Sequence, residues 1–205
     1  MTNFDERAKD WDSDPIKVER ARVVADAIRN AVPLSPHMKA LEYGCGTGLL
    51  SFALQPELGS ITLADTSQGM LDVLKEKISS AGVSNMHPVR LDLATDPIPP
   101  ERYDITYSLM TLHHIHDVKN ILAKFRDLLI SDGYLLVADL DQEDGSFHTD
   151  GTTDVHKGFA RDELRKMVED TGFGNVVFST AYEIKKKIGD EEKTFPVFLM
   201  SAQKT

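Results

Sequence analysis

Hydrophobic positions recur with a helical period over Pro15–Ala31, where Ile16, Val23, Val24, Ala27, Ile28 and the following Val32 share one stripe. Asp14-Pro15 supplies an N-cap followed by proline at the first helical position, and Pro33 and Pro36 end the pattern. Residues 38–43 read as a first strand running into a glycine cluster, after which Leu49–Leu54 resumes as helix. The unit repeats. Residues 61–64 read as a second strand ending at Asp65, and Ser67 caps a helix with Met70, Leu71, Leu74 and Ile78 on one face, stopped by Gly82.

Residues 89–93 predict a third strand, Tyr103–Leu109 a fourth, 118–130 a helix capped by Asp117, and 133–140 a fifth strand. Residues 139–159 are polar and carry no periodicity, a helix is predicted over 161–171, and 176–188 with 194–203 read as an antiparallel hairpin turning near Gly189-Asp190. Strands that alternate with helices predict an α/β fold: a doubly wound, mostly parallel, seven-stranded Rossmann-like sheet with a C-terminal antiparallel hairpin. No internal repeat or linker suggests a second domain, so residues 1–205 are expected to form one.

Charge narrows the partners. With 23 Lys and Arg against 33 Asp and Glu, the net charge is -10, which disfavours a nucleic acid. The one dense basic run, Lys185-Lys186-Lys187, reads as charge protecting a strand edge. A single cysteine excludes intramolecular disulfides and Cys-based zinc sites, the polar start has no signal-peptide core, and no window is apolar enough to span a bilayer. A cytoplasmic protein without membrane attachment, monomeric or homodimeric, is the expectation.

In an open α/β sheet, ligands bind beyond the carboxyl ends of the strands. There this sequence places Gly44, Gly46 and Gly48, then Asp65, Asp92, His113, His114, Asp139 and Asp141. The loop Glu42-Tyr43-Gly44-Cys45-Gly46-Thr47-Gly48 has the spacing G-x-G-x-G, not the dinucleotide fingerprint G-x-G-x-x-G. Glu42 would repel a pyrophosphate and welcome a cation, while Asp65, 21 residues after Gly44, stands where a carboxylate accepts from ribose hydroxyls. The ligand is read as a nucleoside with a cationic or zwitterionic tail.

At these residues, over about 38–140, the chain resembles the class I S-adenosylmethionine-dependent methyltransferases. The resemblance implies that Glu42, Gly44, Cys45, Gly46 and Gly48 surround the methionine part of S-adenosyl-L-methionine, that Asp65 binds its ribose, and that Thr66 and Met70 flank the adenine. It further implies that Asp92 accepts from the adenine amino group beside Leu93, that Leu109 closes the pocket, and that Phe4 to Trp11 belong to an N-terminal helical cap, with Trp11 covering the cofactor. The chain then divides into a cap and first helix (1–32), a cofactor-binding core (38–140), a substrate-side loop (141–160), and a helix and hairpin (161–205).

The expected activity is methyl transfer by in-line displacement to a small-molecule acceptor, releasing S-adenosyl-L-homocysteine. The alternatives are a cofactor-binding protein that acts through a partner, and a protein or RNA methyltransferase. His114 is the candidate catalytic base. No metal is expected, because His113, His114 and His116 lie within four residues and cannot easily face one ion. Cys45 reads as a small loop residue, and Asp92 could simply turn the chain after a strand.

Overall fold

The computed structural model describes residues 4–148 and 154–205 and orders seven strands as β3-β2-β1-β4-β5-β7-β6. Strands β1 (Lys39–Tyr43), β2 (Ser60–Asp65), β3 (Met86–Arg90), β4 (Tyr103–Leu109) and β5 (Leu129–Leu140) are parallel, and β7 (Glu191–Lys204) runs antiparallel to both β5 and β6 (Phe173–Ile188). Strand order reverses between β1 and β4, which opens a crevice at their carboxyl ends.

Both faces of the sheet are covered because alternate side chains of each strand point to opposite sides. Ala40, Leu63, Ile105, Tyr107 and Leu136 pack under α2 (Pro15–Ala31), α3 (Leu49–Leu54) and α4 (Gln68–Ala81). Leu41, Ala64, Leu135 and Val137 pack on the other side against α5 (Val118–Leu128) and α6 (Arg161–Asp170). In α5 the buried residues Val118, Ile121, Leu122 and Phe125 keep the i, i+3, i+4, i+7 spacing of one face. The caps act as their types predict: Asp14, Ser67 and Asp117 accept from the N–H groups of Ile16, Met70 and Asn120.

Several boundaries move. Strand β3 occupies Met86–Arg90 rather than 89–93, since Ile61 pairs with Met86, and the chain then turns where Asp92 accepts from Ala94 N–H and Asp96 accepts from Asp92 N–H. The helix before β5 stops at Leu128, and β5 begins at Leu129 opposite Tyr103, with a bulge around the left-handed Asp132 (φ 61°). The hairpin starts earlier, at Phe173, and bulges at Asn175 (φ 53°). Ile16 leaves the helix stripe for an exposed position at the crevice, and Ala21 and Ala25 join Val24 and Ile28 in the core instead.

A short helix α1 (Phe4–Arg7) and a 3-10 turn (Ala8–Ser13) precede α2 and lie against α4. No helix among the described residues is long and apolar enough to cross a membrane.

Candidate active site

The crevice holds a cavity of about 820 Å³. Its floor is the β1–α3 loop, which stays tied to β2 through Gly44 N–H and Cys45 N–H, both donating to Ala64 O at 2.8 and 3.1 Å. Asp65 completes the clasp: Oδ2 accepts from Gly46 N–H at 2.7 Å and Oδ1 from Ser67 N–H at 2.9 Å. Burial pushes the Asp65 carboxyl above its ordinary value, against these backbone donors.

Glu42 lines the cavity but is almost wholly buried, where it accepts from Ser51 Oγ, itself 2.8 Å from the Tyr107 hydroxyl. Burial pushes its carboxyl up to about 8 despite the Ser51 hydrogen bonds. A carboxyl poised in this way suits a ligand that brings its own cation. Burial likewise pushes the Cys45 thiol up, as befits an inert loop residue.

Gly44, Cys45, Gly46, Thr66, Met70, Asp92 and Leu109 line the cavity together with Glu42 and Asp65. A Cβ on Gly46 would meet only Trp11 Nε1 and Met70 Sδ, at 3.8 and 3.9 Å, so the space above this glycine belongs to the cavity. Two residues expected there are placed otherwise. Leu93 is fully buried in the core, its N–H donating to the Tyr43 hydroxyl, and Tyr43 and Ala94 take the wall instead. Gly48 is the left-handed N-cap of α3, packed so closely that a Cβ would lie 2.6 Å from Leu74. Asp92 has a structural task as well, since it accepts from Ala94 N–H at 2.9 Å.

The roof is the N-terminal segment. Asp5 accepts from Ser67 Oγ and Gly69 N–H, and Asp12 accepts from Thr47 Oγ1 and pairs with Lys77. Trp11 is held half-buried between Phe4, edge-on at 6.0 Å, and the Lys17 ammonium, 4.6 Å above its ring. The cap is thus docked on α4 and the glycine loop. Deleting residues 1 to 14 should leave a folded protein that binds S-adenosylhomocysteine roughly tenfold more weakly, and the ligand should quench or shift Trp11 emission in the intact chain. Unchanged emission in the intact chain together with unchanged affinity in the truncated one would exclude a lid.

Beyond the glycine loop three imidazoles converge. Ring nitrogens of His113, His114 and His148 all lie within 4.8 Å of one another, a donor set able in type to hold a metal ion. The expected crowding of His113, His114 and His116 is relieved because His116 turns outward to Asp154, at 3.3 Å, and the third ring comes from the loop after β5. His113 Nδ1–H donates to Asp139 at 2.6 Å, and Asp139 also accepts from His113 N–H and Leu140 N–H. Burial raises the Asp139 carboxyl, but the imidazole and these donors outweigh it and hold it below the ordinary carboxylate range. His114 lies beside His113, with centroids 4.1 Å apart and the rings tilted by 40°, and meets Phe4 edge-on.

Phe147, His148 and Ile184 form the far wall, and Lys185 and Lys186 reach the cavity as well as guarding an edge strand. His156 points away, its Nε2 lying 3.0 Å from Ile115 O. Asp150, from the same acidic stretch, lies outside the described residues. Sequence patterns did not mark Arg20 or the His113–Asp139 pair as a unit, and marked His148 only as one polar residue of the substrate-side loop. Histidine and aspartate at neighbouring strand ends were the available signal for the pair.

Residues 40–133 match a family described as Methyltransferase domain. The chain is 29% identical over 153 residues to the methyltransferase C1347.09 of Schizosaccharomyces pombe, covering 67% of this chain and 54% of that protein, so it spans about half of its relative's length. It superposes on a SAM-dependent methyltransferase from Aquifex aeolicus with a TM-score of 0.68 at 18% identity, over 94% of this chain and 99% of the other. It also superposes on a chain from the complex of the Haloferax volcanii Trm112 methyltransferase activator with its methyltransferase, with a TM-score of 0.77 at 15% identity, over 98% and 96%.

Proposed function

Starting from a chain that carries a methyltransferase domain of the class I, S-adenosylmethionine-dependent fold, we propose that this protein transfers the methyl group of S-adenosylmethionine to a small molecule. The observation that carries this reading is the continuity of one roofed cavity from the glycine loop and Asp65, past Glu42, to a compartment lined by His113, His114, Phe147 and Ile184. A cap above and a loop beside the cavity leave room for a small acceptor rather than a polymer strand, and the charge of -10 disfavours nucleic acid.

The residues present fit the cofactor. Glycine opens the space above Gly46, Asp65 lines the cavity where it would accept from ribose hydroxyls, and Glu42 is a buried acid without an ion-pair partner among the described residues. When bound, the cofactor supplies a sulfonium-activated methyl group. The chain's own contribution is to hold the acceptor in line, exclude water with Phe4, Trp11 and Phe147, and accept a proton where the acceptor carries one. His113 has Asp139 on Nδ1, which fixes its tautomer and leaves Nε2 to accept, and His114 beside it is the second candidate base.

The Asp139→Asn and His114→Asn proteins should each bind S-adenosylhomocysteine within about twofold of wild type, while the base lowers kcat by about 10² on removal and takes the acid limb of the pH profile with it. Wild-type kcat and profile in both variants would remove both histidines from the chemistry.

Glu42 gives a proton linkage. A carboxyl raised by folding stabilises the folded state when protonated, so its contribution to ligand-free stability is full below about 4.5 and is lost as pH rises through about 8. Binding of a cationic amino group beside it reverses that balance. S-adenosylhomocysteine should therefore release a proton on binding at pH 7, and its affinity should rise with pH and level off above about 8. Calorimetry in buffers of different ionisation enthalpy measures this, and a buffer-independent heat would remove Glu42 from the amino-group site.

Labelled methyl transfer to a panel of small thiols, amines, phenols and carboxylates tests the function itself. Label recovered in protein or RNA instead would overturn the small-molecule acceptor. A partner-held form is the second reading, favoured by Val89 and Val177 standing exposed on the two edge strands, β3 and β6.

A further inference from the structure

The cavity is lined by a cation without an ion pair of its own among the described residues. Arg20, on α2, lines the cavity, and its Nε is fully buried with no hydrogen-bond partner among the described residues. Three groups act on its charge, Asp14, Asp139 and Tyr182, and each is committed elsewhere. Asp14 pairs with Lys17 at 2.6 Å and caps Ile16 N–H at 3.0 Å. Asp139 holds His113, and the Tyr182 hydroxyl donates to Glu19 at 3.0 Å.

Leaving the Arg20 Nε–H shut off from water without an acceptor is unfavourable, and a half-buried guanidinium that keeps this donor unpaired at the wall of a ligand cavity has left its acceptor to the ligand. The planar fork matches a carboxylate or phosphate, to which it can donate two parallel hydrogen bonds. Lys185 lines the same cavity, and Phe147 and Ile184 offer it apolar walls.

We infer that the methyl acceptor is an anionic small molecule, a carboxylate or phosphate monoester with an apolar body, whose oxyanion is anchored by Arg20. This deepens the methyl-transfer reading and rests on it. Arg20 is a binding and specificity residue, while the candidate proton acceptors are His113 and His114, which follow β4.

The test uses the full chain saturated with S-adenosylhomocysteine and two pairs of near-isosteres: benzoate against benzamide, and phenyl phosphate against phenyl methanesulfonate. One anion should bind at least about tenfold more tightly than its neutral partner, and Arg20→Gln should erase that difference while Arg20→Lys keeps part of it. Preference in the benzoate pair assigns a carboxylate, and preference in the phenyl phosphate pair assigns a phosphate.

Ligand-free Arg20→Gln should also melt higher than wild type, by about 3 °C, because it removes a partly buried charge that has no ion pair of its own. A structural arginine would give the opposite shift, and lower melting with lost preference would overturn the anchor. So would equal binding of each anion and its neutral isostere, or a preference that survives Arg20→Gln. S-adenosylhomocysteine binding is read in the same titrations. Its absence in wild type would overturn the methyl-transfer reading, whereas its presence without any anion preference overturns the anchor alone.

Discussion

Asp65→Ala should weaken S-adenosylhomocysteine binding by about 3 kcal/mol, roughly a hundredfold, which isothermal titration would register directly. Two losses combine. The carboxylate faces the cavity where a ribose would hydrogen-bond, and it also holds the glycine loop in shape through Gly46 N–H while fixing Ser67 N–H at the start of α4. Alanine leaves both N–H groups without their acceptor at the cavity floor, so the loop that contacts the ligand loosens at the same time as one of its contacts disappears. Asp65→Asn should fall between, since the amide retains one acceptor oxygen for two donors on opposite sides. An unchanged dissociation constant in Asp65→Ala would mean that the ligand does not lie against β2.

Gly44→Val should have the largest effect on folding, with a loss of about 3 kcal/mol or more measured by denaturant unfolding, and cofactor binding should fail with it. Gly44 has φ +73°, and an added Cβ would lie 2.3 Å from Thr111 Oγ1 and Cγ2. Thr111 cannot swing aside at no cost, because its Oγ1 is bonded toward Leu109 O at 3.2 Å and Gly44 O at 3.3 Å at the end of β4. Gly46→Ala is the informative contrast. It shares the positive φ, at +52°, but its Cβ meets nothing closer than 3.8 Å, so the variant should fold with a penalty of only about 1 kcal/mol. Its defect should instead appear in ligand affinity, because the methyl group would project into the cavity. Equal stabilities for Gly44→Val and Gly46→Ala would show that the close packing against Thr111 carries no energetic weight.

Both predictions draw on a loop legible in the sequence, and their difference in kind does not. Three glycines after a strand declare a backbone that needs positive φ or close approach, but spacing alone assigns the same role to each. The structure separates them by what lies across from every missing Cβ: the end of β4 for Gly44, the cavity for Gly46, and α4 for Gly48. Leu93 shows the same limit, since a leucine beside Asp92 could face either the ligand or the core, and the turn closed by Asp92 and Asp96 sends it to the core.

What the amino-acid order determined by itself is the set of properties written into neighbouring residues. The alternation of strands with helices, the caps at Asp14, Ser67 and Asp117, the glycine loop and the acid ending β2 all follow from local periodicity and from side chains that bond within a few residues. Tertiary structure decided which distant side chains meet. His113 joins Asp139 across 26 residues because β4 and β5 are adjacent and end level, His148 comes within reach of them from the chain after β5, and Arg20 is left without an ion pair because the carboxylates that act on it are already paired. Register, burial and competition for partners are properties of the packed chain, so no pattern along the sequence could carry them.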